Sequence, residues 1–456
     1  MKRLLAPALL LDDGWHADVT LVVDDDGVIA GLEHRSGEAV DERLSGPVVP
    51  AMPNLHSHAF QRAIAGRTGT PSSDRNDTFW TWRQAMYGAV DRLDPEAFQA
   101  IAAQAFVEMA KAGYASVAEF HYVHHDPQGK PYADPAELAW RVVAAAQTAG
   151  LGLTLLPVFY AHGNFGGAAS EPLQRRFVHS TYTFEKLFAA LAQRAGEHGY
   201  VLGVAPHSLR AVTEEELAKI VRLAPARAPI HIHAAEQTRE VDDCCRHTGM
   251  RPVEWLLAHA SLDARWCVVH ATHMIDREVA GLAASGAVAG LAPSTEADLG
   301  DGIFSGEAFR QAGGRFGLGT DSNTLIDPFA EVRQLEWSQR LRLRRRNVLA
   351  AEGRAPIGQT LWRGAARGGA QALAQPIGAI APGRRADLLV LDANEPALAG
   401  QPTQFVLDAA IFGPCRRPVR DVMRAGRWLV RDGHHPREHE VFERFRAALA
   451  RMDAMP

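Results

Sequence analysis

The chain has 456 residues, enough for two or three domains, and its 47% hydrophobic and 22% charged residues are the balance of an ordinary globular protein. A formal net charge of -5 speaks against nucleic acid and against an anionic membrane surface as partners. No apolar run reaches the length of a membrane span, the apolar start Met1–Ala6 meets Asp12 and Asp13 too soon for a signal peptide, and Cys244, Cys245, Cys267 and Cys415 form no C-x-x-C pair, which points to a reducing cytoplasm.

Residues 1–49 read as short strands, with Val19–Val23 and Val28–Ala30 flanking an Asp24–Gly27 turn. From residue 50 to 375 strands and helices alternate. Strands are expected to end near His58, Phe120, Tyr160, Pro206, His233, His270, Ala292 and Asp321, the fourth running unbroken from Tyr200 to Ala205. Helices are expected over 95–111, 135–148, 184–195, 252–259, 276–284 and 328–343, with another opened by Thr213. Residues 79–83 and 293–302 read as loops. Such alternation implies a (β/α)8 TIM-like barrel. A doubly wound open sheet is the competitor; the barrel is favoured because candidate reactive residues end many different strands. Residues 376–456 turn β-rich again, with a strand over 386–392, a hairpin over 419–430 and a closing helix over 438–452. The two terminal β-segments are expected to pair into one small domain, with the barrel inserted in it.

His56 and His58 stand two apart at a strand tip, so both imidazoles face one way. His233 ends the fifth strand, His270 the sixth and Asp321 the eighth, and Glu236 follows His233 by three residues. As isolated residues, each would more often be an ordinary polar residue at a strand end. A barrel brings all these tips to one face. There His56, His58, His233 and Asp321 offer three imidazoles and a carboxylate, a donor set suited to one Zn2+ ion. A Zn2+ ion lowers the pKa of water from 15.7 to about 7. Asp321 would also serve as base, Glu236 would protonate a leaving group, and His270 would stabilise developing charge. The chemistry that follows is metal-assisted hydrolysis at an sp2 carbon.

The stretches Pro53–His58, His233–Glu236, Val268–Thr272 and Gly319–Ser322, with Pro382–Leu388, resemble the amidohydrolase superfamily over nearly the whole chain. The resemblance implies a metallo-hydrolase barrel flanked by a β-sandwich, here divided as 1–49, 50–375 and 376–456. No lysine ends the fourth strand, so it resembles the branch with a single metal. Within that branch Leu55–Arg62, Glu119–Tyr122, Ala205–Arg210 and Thr295–Gly302 resemble a family of deiminases that hydrolyse N-formimino-L-glutamate to N-formyl-L-glutamate and ammonia in histidine degradation. The resemblance implies substrate contacts at Gln61, Arg83, Tyr122, His207 and Arg210, and catalytic roles for Glu236, His270 and Asp321. The physical chemistry agrees, because an arginine fork suits a substrate bearing carboxylates. The Phe79, Trp80 and Trp82 cluster reads as packing over the barrel mouth, although stacking surfaces keep a second reading open: deamination of a heterocycle such as guanine. A third is a catalytically dead scaffold, which the completeness of the candidate site opposes. The expected state is a homodimer, the commonest oligomer.

Overall fold

The computed structural model describes residues 1–34, 39–71, 76–350 and 355–454. The chain opens with two strands of ten residues each, Lys2–Leu11 and Gly14–Val23, longer than the short strands expected, paired antiparallel. Ile29–His34 follows after the Asp24–Gly27 turn. Strands Leu388–Leu391, Val419–Arg424 and Arg427–Val430, from the other end of the chain, join the same sheet. The connection is Val48–Pro50, which lies parallel to Lys2–Leu11 on one side and antiparallel to Leu388–Leu391 on the other. Leu4, Leu9, Leu21, Leu388, Val390 and Met423 are buried together, so this small β-sandwich has a core of its own drawn from both ends of the chain.

One residue beyond Pro50 the chain enters the barrel. Its strands are β1 (Met52–Ser57), β2 (Tyr114–His121), β3 (Gly152–Phe159), β4 (in two pieces, Val201–Leu202 and Ala205–Pro206), β5 (Ile230–Ala234), β6 (Trp266–His270), β7 (Val288–Leu291) and β8 (Arg315–Leu318). Neighbours pair in parallel. Isolated parallel bridges complete the ring, Val204 to Ile230 between β4 and β5, and Ser57 to Asp321 between β1 and the tip of β8. Both faces of these strands are covered, which is why they read as continuous apolar runs rather than alternating ones. Among the described residues, no helix is long and apolar enough to cross a membrane.

Helices form where capping signals stand. In Pro95–Ala112 the Asp94 carboxylate accepts the Ala97 N–H at 2.6 Å, and Gly113 ends the helix in the left-handed region at φ 110°. Three expectations are corrected. Residues 79–83 are not a loop but the start of helix Phe79–Val90, opened by a reciprocal cap between Thr78 and Thr81. Residues 293–302 are not all loop, because Pro293–Leu299 is a short helix with proline in its first turn and Gly300 at its end. The fourth strand is broken at Gly203, where a Cβ would come within 2.6 Å of the Pro229 carbonyl oxygen.

Helix Ile357–Leu373 is missing from the sequence reading because Gly364, Gly368 and Gly369 look like helix breakers. The structure gives their reason. A Cβ on Gly368 would overlap the Phe316 carbonyl of β8, and one on Gly369 would lie 3.0 Å from the Pro53 ring of β1. The glycines let this helix sit directly on the pair of strands that close the barrel. Alanine is about 1 kcal/mol better than glycine in a helix interior, but overpacking costs about 1–3 kcal/mol. Gly368→Ala should therefore lower Tm in thermal unfolding; an unchanged or raised Tm would contradict this close packing.

Candidate metal and active site

The closure of the barrel and the candidate metal centre are built from the same residues. Asp321 N–H donates to the His56 carbonyl at 3.0 Å, and His58 N–H donates to the Asp321 carbonyl at 2.9 Å. Asn54 Nδ2 donates to Thr320 Oγ1 at 2.8 Å, Thr320 donates to Asn323 Oδ1 at 2.7 Å, and Asn323 Nδ2 donates to the His58 carbonyl at 3.1 Å. Asp321 and Asn323 take positive φ of 46° and 55°, conformations that cost L-residues about 1–2 kcal/mol each. The polar network holds them there.

As a result, His56, His58, His233 and Asp321, all buried, place one donor atom each within 4.8 Å of one another. His58 Nδ1 lies 3.0 Å from the Phe120 carbonyl and His233 Nδ1 lies 3.1 Å from the His207 carbonyl. A carbonyl only accepts, so both rings carry their proton on Nδ1 and turn an Nε2 lone pair inward. His56 Nε2 lies 3.1 Å from His233 Nε2, and Asp321 Oδ1 lies 3.4 Å from His56 Nε2 and 3.2 Å from His58 Nε2. Burial keeps all three imidazoles neutral, with His56 lowered to about 3. Burial would raise Asp321, but a hydrogen bond from His56 and the charge on nearby His270 hold its carboxyl well below the usual range. Converging lone pairs and a carboxylate are the donor set a divalent ion fits.

Glu236 and His270 stand beside this cluster. Glu236 Oε1 lies 3.6 Å from His270 Nε2, and Asp321 Oδ2 lies 3.8 Å from the same nitrogen. That Nε2–H therefore faces the space between the two carboxylates. Burial works against a charge on His270, but Glu236, Glu296 and Asp321 outweigh it and hold the ring up at about 10. Burial pushes Glu236 up to about 7, against the pull of His270 and Arg210. His270 sits in the left-handed region at φ 68° and Ala235, before Glu236, at φ 54°.

Gln61, Arg83, Tyr122, His207 and Arg210 line one pocket with Glu236, His270 and Asp321. Gln61 Nε2 donates to the Tyr122 hydroxyl at 2.8 Å, which leaves the Gln61 carbonyl oxygen buried without a partner. Burial, with Arg210 nearby, keeps His207 well below its ordinary pKa, so it contributes a neutral ring. Arg210 Nη2 lies 3.8 Å from Glu236 Oε2. Among the described residues, the Nε atoms of Arg83 and Arg210 are buried and hydrogen-bonded to nothing. Phe79, Trp82, Tyr87 and Phe177 stand in the wall of the pocket, so two residues of the expected aromatic cluster line it and Trp80 does not. All the expected site residues thus meet in one place.

The sequence match decides the family: residues 48–429 fit the model of the amidohydrolase family. The chain belongs to the amidohydrolase family. It is 49% identical over 452 residues to formimidoylglutamate deiminase of Pseudomonas aeruginosa, covering 99% of this chain and 100% of that one. It is 28% identical over 442 residues to 8-oxoguanine deaminase of the same organism, covering 93% and 92% of the two chains. The crystal structure of an amidohydrolase from Brucella melitensis superposes over the full length of both chains with a TM-score of 0.93 at 46% identity. This amidohydrolase is a hydrolase, and His56, His58, His233 and Asp321 are its metal-binding cluster.

Two residues that support the site had no role in the sequence reading. Glu240 accepts the N–H groups of Ala235 and Glu236 at 3.2 and 3.0 Å, fixing the turn that presents Glu236. Glu296 Oε1 accepts the Ala292 N–H at 3.0 Å and lies 3.4 Å from His270 Nδ1, holding that ring from behind. The one available signal was spacing, an acid in the first turn of a helix that follows a strand tip. Replacing His233 with alanine should leave the purified amidohydrolase well short of stoichiometric metal by plasma mass spectrometry. It should also abolish the gain in Tm that metal gives the wild type, since an ion bound only by the folded state stabilises it. Full metal content in that variant would remove His233 from the ligand set.

Proposed function

We propose that this amidohydrolase is a zinc-dependent deiminase that hydrolyses N-formimino-L-glutamate to N-formyl-L-glutamate and ammonia in histidine degradation. The observation that carries the reading is the pair of buried, unpartnered arginine Nε groups beside the acid and base residues. Buried polar groups left without partners are costly, and a guanidinium is answered best by a carboxylate fork. The substrate brings two carboxylates and a small amidine. The 49% identity to a formimidoylglutamate deiminase supports the same reading, as does the donor set for zinc. We further propose a cytoplasmic homodimer carrying one zinc ion per subunit.

Arg210 and Arg83 would each grip a carboxylate, while the Gln61 carbonyl, the Tyr122 hydroxyl and the neutral His207 ring orient the chain between them. Zinc bound by His56, His58, His233 and Asp321 would supply Lewis acidity that lets water attack near neutral pH. Asp321, held ionised by the His56 hydrogen bond and the His270 charge, takes a proton from the attacking water. A C–O bond forms at the amidine carbon. His270, charged and facing this point, offsets the negative charge that builds on the oxygen. Glu236, poised near neutrality, passes a proton to the nitrogen, the C–N bond breaks as the formyl C=O bond forms, and ammonia leaves; the proton left on the oxygen returns to the Glu236 carboxylate, and Asp321 releases its proton to water.

The aromatic wall of the pocket favours a second reading, deamination of a heterocycle. Ammonia release from N-formimino-L-glutamate measured beside guanine, 8-oxoguanine and adenosine separates the two, and silence with the first compound overturns the proposal. Glu236→Gln should keep its zinc and lose about 10²-fold or more in kcat; an undiminished rate would take Glu236 out of the proton path. Arg210→Met should raise KM by about 10-fold or more with a smaller change in kcat, and a loss confined to kcat would contradict its role as a carboxylate contact.

A further inference from the structure

Trp80 has no part in the site described above, yet the guanidinium groups gather around it. It is the second residue of helix Phe79–Val90 and is half-buried. The Arg83 guanidinium carbon lies 4.7 Å from its ring centroid, that of Arg239 at 4.7 Å and that of Arg210 at 5.6 Å. These side chains come from the segments that follow three different barrel strands. Arg83 is one turn along the same helix, Arg210 follows β4, and Arg239 lies on helix Thr238–Thr248 beyond β5.

Three like charges around one ring repel one another. The negative face of an indole offsets that repulsion and fixes the guanidinium planes. Carboxylates hold part of that charge as well, since Glu240 and Glu236 sustain the Arg210 charge against its burial. Arg210 lies 3.8 Å from Glu236, and Arg239 lies 3.9 Å from an Asp243 that is also paired with Arg246. The contrast matters, because an acidic side chain in the place of Trp80 would neutralise the arginines and compete with an incoming anion. A neutral aromatic ring gathers the cations and leaves their charge available.

We infer that Trp80 is a positioning residue that sets specificity: it aligns Arg83 and Arg210 and recruits Arg239 to the pocket rim as a third cation, so that a linear substrate with two carboxylates is selected over one with a single carboxylate. The inference rests on the proposed function, and Trp80 acts through the arginines rather than by touching the reacting atoms.

The test compares the metal-loaded full chain with Trp80→Leu, Trp80→Phe and Arg239→Met, using the dicarboxylate N-formimino-L-glutamate and the monocarboxylate N-formiminoglycine. Trp80→Leu should raise KM for the dicarboxylate roughly tenfold while kcat holds within about threefold, with a much smaller change for the monocarboxylate. Trp80→Phe should recover most of the loss, because it restores the ring face. Arg239→Met should weaken the dicarboxylate alone, and less so as salt is added. Equal effects on both substrates, a loss confined to kcat, or no rescue by phenylalanine would overturn the inference. Zinc content and circular dichroism identify any variant that misfolds, in which case Trp80→Phe and Arg239→Met carry the comparison. If the wild type releases no ammonia from the dicarboxylate, the proposed function fails separately. Calorimetric binding of N-acetylglutamate then decides: tight binding to wild type that weakens in Trp80→Leu upholds the inference, and equal binding overturns it.

Discussion

The contact between β1 and the tip of β8 is the one on which the rest depends. It closes the barrel, and it is made by the backbone of His56, His58 and Asp321, three of the four metal-binding residues. Asn54, Thr320 and Asn323 form a buried hydrogen-bonded network across this seam, and helix Ile357–Leu373 presses on it through glycines. Barrel closure and metal binding are therefore coupled. An ion held by side chains from both strands stabilises the seam, and an intact seam preorganises the donors.

Burial then gives each charged group its character. The same low-dielectric setting keeps the three inward-facing imidazoles neutral, raises Glu236 to about 7 and, through nearby carboxylates, holds His270 charged at about 10. Environments that push neighbouring groups apart in this way are how one site provides both an acid and a base. The backbone contributes as well. Ala235, His270 and Asp321 all occupy the left-handed region at strand tips, where the chain turns sharply. Glu240 holds the first of these turns through two N–H groups, and Asn323 bonds to the carbonyl of Asp321.

Much of this was legible in the residues themselves. The strand tips at His58, His233, His270 and Asp321 stood out because apolar runs ended on side chains with chemistry. Helices such as Pro95–Ala112 announced themselves through Asp94, Pro95 and Gly113. Helix Ile357–Leu373 was hidden because its glycines serve contacts with β8 and β1, more than 40 residues away in sequence, and local propensity carries no record of those contacts. Helix Phe79–Val90 was hidden because its aromatic residues suggested a covering loop, and its Thr78 and Thr81 cap is easily missed.

Periodicity, capping residues and ligand-type side chains are local properties, so the sequence by itself determined the order of the barrel strands and many of the helices between them, the barrel class and which residues could carry chemistry. Distances between residues far apart in the chain are not local. Only the tertiary structure decided that four donors meet within 4.8 Å, that Glu296 stands behind His270, and that three arginines from separate segments surround Trp80. The charge states follow from that same packing, since burial and neighbours, rather than residue type, set where Glu236 and His270 hold their protons.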